Sequence, residues 1–174
     1  MFEELSLHIL DIAMNSLAAG ASVIQVTVYE DHRHDWLLLR VRDNGHGMDA
    51  GTLDAVLNAH ATTKALRRKS IGLGLALLRQ TAEMCDGHFH VRSKRDVGTS
   101  VTASLRLSHV DRPPLGDLSA TVLALCAANP HVDVQLQYRT GTETFRFSSQ
   151  EGSHHEPRGT QEIEGKSAAT GRAA

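Results

Sequence analysis

Asp43-Asn44-Gly45-His46-Gly47-Met48 closes an apolar-rich run, Trp36-Leu37-Leu38-Leu39-Arg40-Val41-Arg42, whose partial alternation predicts a strand. The hexapeptide is too polar and too rich in glycine to extend that strand, so a carboxylate is left standing at its end. Asp43 can accept a hydrogen bond from an amino group such as that of adenine, while Gly45 and Gly47 carry no Cβ and leave the backbone open to a flat ring. Asp-Asn-Gly is also ordinary turn chemistry. The flanking segments have to separate the two readings.

Upstream, residues 22–30 form the partner strand of a predicted hairpin across Asp31-His32-Arg33-His34-Asp35. Before it, residues 3–18 carry helical periodicity, with Leu5, Ile9 and Ile12 on one side, Leu10, Ala13 and Leu17 beside them, and Gly20 as the stop. His8, Asp11 and Asn15 fall at i, i+3 and i+7 and share one stripe at the edge of the apolar face. Such a stripe is ordinarily a solvated surface.

Downstream, residues 49–57 suit a short helix. Residues 58–70 then lose apolar periodicity and gather Lys64, Arg67, Arg68 and Lys69. They lead into Gly72-Leu73-Gly74-Leu75, which opens a helix of about 71–85 with Leu73, Leu77 and Met84 on one buried line and Leu75, Leu78 and Ala82 on another. A helix N-terminus presents unpaired N–H groups and the positive end of the dipole, and glycines there let an anion such as phosphate approach; Gly-x-Gly at a helix start also serves helix packing. Two strands follow, 87–94 and 99–107, and the alternation of Val101, Ala103, Leu105 and Leu107 marks a sheet covered on one face.

Asp111-Arg112-Pro113-Pro114 interrupts the chain. Beyond it one helix, 118–127, and two strands, 132–138 and 143–147, are expected, either packed on the main sheet or forming a small subdomain. From Ser148 onward the composition is Gly, Ser, Glu, Thr and Ala with almost no large apolar residue, and residues 148–174 are expected to be disordered.

The 174 residues suffice for one well-cored domain with an extension. With 18 Lys and Arg against 20 Asp and Glu, and no basic stripe with interleaved aromatics, no nucleic-acid partner is expected. Cys85 and Cys126 suit neither a metal site nor a disulfide framework and read as buried thiols. No run of 18 apolar residues is present, and Glu3 and Glu4 replace the basic start of a signal peptide, so a cytoplasmic location without membrane contact is expected.

Taken in order, Asp11-x-x-x-Asn15, Asp43-x-Gly45-x-Gly47 and Gly72-Leu73-Gly74-Leu75 resemble the ATP-binding domain shared by DNA gyrase, heat-shock chaperones, histidine kinases and MutL, the GHKL superfamily. The resemblance covers residues 3–107. Among small stand-alone members, Thr62-Thr63-Lys64 is similar to anti-sigma-factor serine kinases. Leu5-Ser6-Leu7-His8-Ile9-Leu10-Asp11-Ile12-Ala13 and Asp111-Arg112-Pro113-Pro114-Leu115-Gly116-Asp117 are more similar still to ATP-binding proteins encoded beside iron-only hydrogenases.

The resemblance implies an α+β fold, a two-layer sandwich of helices on a mixed, mostly antiparallel sheet (the histidine-kinase-like ATPase fold) with a C-terminal α-β-β extension. Residues 1–110 would be the ATP-binding domain, 111–147 the extension and 148–174 the tail. Asn15 would offer its amide oxygen to Mg²⁺ bound with ATP. Asp43, helped by Thr99, would hold the adenine amine, with Gly45, Gly47 and Met48 around the purine and ribose. Gly72, Leu73, Gly74 and Leu75 would meet the phosphates, and the lid, residues 58–70, would close over them with Thr63 and Lys64.

Asp11 stands where hydrolysing relatives carry glutamate. Its carboxylate is withdrawn by about 1.5 Å, and roughly 1 Å at a reacting group can cost on the order of a hundredfold in rate, so fast unaided hydrolysis is not expected. Ala18 stands where histidine kinases often carry a cation, and no helical hairpin bearing a phosphoacceptor histidine is read in these residues. The acceptor is expected to be another molecule, and His8 a structural residue. The leading expectation is a Mg-ATP-binding regulatory protein that phosphorylates Ser, Thr or His of a partner protein. The alternatives are an ATP-gated binding module and a slow ATPase that forms a homodimer on nucleotide.

Overall fold

The computed structural model describes residues 4–58 and 73–157. In chain order the elements are α1 (Leu5–Ala18), β1 (Val23–Asp31), β2 (Trp36–Asp43), α2 (Ala50–Asn58), α3 (Leu73–Met84), β3 (His88–Lys94), β4 (Gly98–Arg106), α4 (Leu118–Ala128), β5 (Asp133–Thr140), β6 (Glu143–Ser148) and β7 (Gly152–Pro157). The strands form a single seven-stranded sheet in the order β3-β4-β2-β1-β5-β6-β7. Only β1 and β5 run parallel, and every other pairing is antiparallel.

Strand alternation places one apolar row after another on the same face. Val91, Val101, Val41, Val26 and Leu136 line up across five strands in register. α1, α3 and α4 cover that face, and Leu5, Ile9, Ile12, Leu75, Leu78, Leu118, Val122 and Leu125 join the strand residues in one core. Each such Leu, Ile or Val contributes about 1.5–3 kcal/mol by leaving water. On the opposite face the corresponding rows are polar: Arg42, Ser100 and Arg92, then Arg40, Thr102 and His90.

The segment after Pro114 belongs to this sheet and core and does not form a separate subdomain. β5 extends the sheet at β1. The linker also completes α1: Leu5 N–H donates to Pro114 O and Ser6 N–H to Leu115 O, both at 2.9 Å, satisfying two donors that a helix start leaves unpaired. α4 is capped by Asp117, which accepts from Ala120 N–H at 2.8 Å.

Two sequence expectations are corrected. Residues 158–174 lie outside the described residues, and the disorder expected from 148 does not hold for residues 152–157, which pair with β6 as β7. The turn between them is organised by Ser148 Oγ, which accepts from the N–H groups of Gln150 at 3.2 Å and Glu151 at 3.3 Å. Backbone pairing on a sheet edge needs no apolar alternation, so composition did not reveal it. On α3 the line of Leu75, Leu78 and Ala82 is buried, but of the other expected line Leu77 is only half-buried and Met84 is 43% exposed, because the helix turns that flank away from the sheet; the side chain of Leu73 lies outside the described residues.

Candidate functional site

The carboxylate of Asp43 is held at the end of β2 by three donors. Ser16 O–H of α1 reaches Oδ2 at 2.8 Å, and the N–H groups of Gly45 and Thr99 reach Oδ1 at 2.9 and 3.2 Å. The residue is 8% exposed. An ionised carboxylate offers about four acceptor positions, so one remains for an incoming amino group. Asp43 borders a cavity of about 130 Å³ that Asn15, Ser16, Gly47, Met48, Leu75 and Thr99 also line. Drug-sized ligands occupy roughly 300 Å³ or more, so this cavity takes a flat ring, with the remainder of a nucleotide outside it.

The hexapeptide is shaped by the protein's own backbone. Gly47 adopts φ +60°, and a Cβ there would overlap the carbonyl of Lys94 in the β3–β4 hairpin. His46 N–H donates to Ala19 O at 2.9 Å and Asp96 N–H to His46 O at 2.7 Å, tying the loop to the end of α1 on one side and to the β3–β4 turn on the other. Met48 N–H donates to Ser93 Oγ at 2.8 Å, and Ser93 Oγ in turn lies 2.8 Å from Thr99 Oγ1. Gly45 touches Asp43 through its N–H but is not among the residues lining the cavity.

The polar stripe of α1 is not a solvated face: His8 and Asp11 meet α3, and Asn15 borders the cavity. His8 is fully buried, with Nε2 3.3 Å from Thr81 Oγ1. Thr81 Oγ1 also lies 2.9 Å from Leu77 O, to which its hydroxyl can donate. Burial above all holds the His8 pKa down to about 4, so the ring is neutral at pH 7. Further along, the Asp11 carboxylate packs directly on Gly74 in the first turn of α3, where any Cβ would overlap Oδ2. Glycine at 74 thus leaves room for the Asp11 carboxylate, which would have to move aside for any larger residue. Desolvation raises the Asp11 pKa, making its carboxylate a stronger base than an exposed one. Among the described residues it makes no hydrogen bond or ion pair.

Asn15 is half-buried at the cavity wall and supplies an oxygen suited to a hard cation. Among the described residues no group of three or more His, Cys, Asp or Glu side chains could hold a metal. That donor set fits Mg²⁺, which keeps most of its waters and relies on substrate phosphates, better than a metal needing a protein cage.

The structure therefore brings Asn15, Asp43, Gly47, Met48, Leu75 and Thr99 around one cavity and sets Asp11 against Gly74 nearby. Leu73 opens α3. Thr63, Lys64 and Gly72, with the other lid cations, lie outside the described residues. Sequence reasoning missed Ser16 and Ser93. Ser16 continues the buried line of Ile9 and Ile12, and a hydroxyl at such a position calls for a polar partner.

The family model described as "Histidine kinase-, DNA gyrase B-, and HSP90-like ATPase" matches residues 1–109. Sensor histidine kinase YvrG of Bacillus subtilis is 33% identical over 81 residues, 45% of this chain and 14% of its own length. Sensor histidine kinase ZraS of Escherichia coli is 30% identical over 116 residues, 66% of this chain and 24% of its own. This chain thus spans a quarter or less of either kinase. The Aquifex aeolicus MutL ATPase domain complexed with ADP superposes with a TM-score of 0.56 at 19% identity, over 81% of this chain and 62% of that one, a likeness of fold. No helix among the described residues is long and apolar enough to cross a membrane.

Proposed function

The chain belongs to the histidine kinase-, DNA gyrase B- and HSP90-like ATPases, and from that premise we propose that it is a Mg-ATP-dependent switch that phosphorylates a partner protein. The observation that carries the nucleotide site is the buried Asp43 carboxylate, fixed by Ser16, Gly45 and Thr99 with one acceptor position left at the wall of a ring-sized cavity.

In this reading Asp43 accepts from the adenine amine and Thr99 borders the base. Asn15 gives its amide oxygen to Mg²⁺, which supplies charge neutralisation along the phosphates when bound. Gly72, Leu73, Gly74 and Leu75 offer N–H groups at the start of α3, and Lys64, with Thr63, closes the lid. Asp11 accepts the proton of the acceptor hydroxyl or imidazole, a role its raised pKa supports.

The test has two stages. Mg-ATP at a hundred times its Kd should stabilise the fold by about 2.7 kcal/mol, and Asp43→Asn should abolish the corresponding rise in Tm; a rise that persists in the variant overturns the adenine assignment. Label from γ-phosphate-labelled ATP should then appear on a protein in cell extract and be lost with Asp11→Asn.

A second reading is supported by the contact between Asp11 and Gly74, which holds a short carboxylate against α3. The protein would then bind its partner under ATP control without transferring phosphate. Partner capture that proceeds equally with a non-hydrolysable ATP analogue, with no labelled acceptor, would select it.

A further inference from the structure

We propose that the open face of the sheet carries a docking groove for an acidic, extended segment of a partner protein. The groove encloses about 560 Å³ where β2, β4 and β3 lie side by side, and Arg40, Arg42, Arg92 and Lys94 stand along it. Its floor is hydroxyl-bearing, from Ser100 and Thr102. Register sets three of the cations in two rows, Arg42, Ser100 and Arg92 abreast, then Arg40, Thr102 and His90, while Lys94 stands one row further on, opposite Gly98.

Charge complementarity identifies the occupant. The chain as a whole is slightly acidic, yet among the described residues none of these four cations has a carboxylate partner. Arg106, at the far end of β4, is by contrast bracketed by Asp35 and Asp86 at 3.2 Å each. Arg40 Nε donates to Thr102 Oγ1 at 3.2 Å and Arg92 Nε to His90 Nε2 at 2.9 Å, which orients both guanidinium groups and leaves their remaining N–H donors available. The two rows are one strand repeat apart, roughly 7 Å. That is the spacing of alternate side chains on an extended peptide, so carboxylates at i and i+2 meet successive rows.

Nucleic acid fits less well. Of the aromatic rings of this face, Trp36 stacked with His88 and Tyr29 under the Arg139 guanidinium lie outside the groove, and the imidazole of His90 is the one ring in its lining, so bases would find little stacking surface. Asp43 and Thr99 border both this groove and the ring-sized cavity, which puts partner and nucleotide on two sides of the same strand ends. The inference deepens the switch reading by naming the partner's chemistry, and rests on it only for the partner's being a protein.

The probes are a fluorescent decapeptide of alternating Glu and Ser, its Gln counterpart and a single-stranded thymidine decamer, titrated with the full chain by anisotropy. The acidic peptide should bind at least tenfold more tightly than the Gln peptide, weakening steeply with salt. Arg42→Glu with Arg92→Glu should lower its affinity at least tenfold, and the neutral pair Arg42→Gln with Arg92→Gln should fall between. Both variants should keep the native Tm and its rise with Mg-ATP, which separates loss of the groove from loss of the fold or of the nucleotide site. Equal binding of the two peptides, undiminished affinity in the Glu variant, or tighter binding of the thymidine decamer overturns the proposal. Peptide binding without any Mg-ATP response sinks the switch reading and leaves the groove standing.

Discussion

At the scale of single residues, the site depends on a serine that no nucleotide motif contains. Ser16 Oγ lies 2.8 Å from Asp43 Oδ2 and 3.2 Å from Ile12 O, and its one proton goes to the charged acceptor. A hydrogen bond to a charged group contributes about 1.5–3 kcal/mol, and here it sets the orientation in which Asp43 meets a base. Ser16→Ala should weaken ATP binding roughly tenfold or more, measured by calorimetry, while Ser16→Thr should retain most of the affinity. Unchanged affinity in the alanine variant would show that Gly45 and Thr99 suffice. His8 acts on stability. Its ring is held neutral with a pKa near 4 against 6.5 unfolded, so protonation favours the unfolded chain. The stability is full above about pH 6.5 and is lost as pH falls towards 4, on the order of 3 kcal/mol in all. Urea melts between pH 7.5 and 4 should show this loss in the native chain and a flatter profile in His8→Leu.

At the scale of elements, α1 and α3 meet through the Asp11 carboxylate and the missing side chain of Gly74. Gly74→Ala should destabilise by about 1–3 kcal/mol through overpacking, and Asp11→Ala placed in that background should recover much of it, since the overlapping atoms are then gone. A denaturant titration of the two variants would show failure of the idea as simple additivity. The element pattern itself was legible in the sequence wherever one side of a segment faces the core: α1 through Leu5, Ile9 and Ile12, and β4 through Val101, Ala103 and Leu105. β7 was not, because it is secured by backbone pairing and a Ser148 turn. Ser16 and the meeting of Asp11 with Gly74 were not either, since each depends on two segments far apart in the chain whose approach is set by sheet packing.

At the scale of the whole molecule, the family match ends at residue 109, yet the fold does not close there. Cutting the chain after residue 110 would remove the Pro114 and Leu115 carbonyls from the start of α1 and strip β5 from the edge of β1. It would also take Leu118, Val122, Leu125, Val134 and Leu136 out of the shared core. The β1 edge, with Ile24, Val26 and Val28 fully or almost fully buried in the intact chain, would then face water beside an open row of N–H and C=O groups, a template for pairing with another chain. Residues 1–110 alone should therefore lack a cooperative thermal transition and associate through that edge, whereas residues 1–157 should melt cooperatively. Calorimetry and light scattering on the two lengths decide it. A sharp, monomeric transition for residues 1–110 would mean that the nucleotide-binding part is autonomous and that everything after Pro114 is an addition to a finished core.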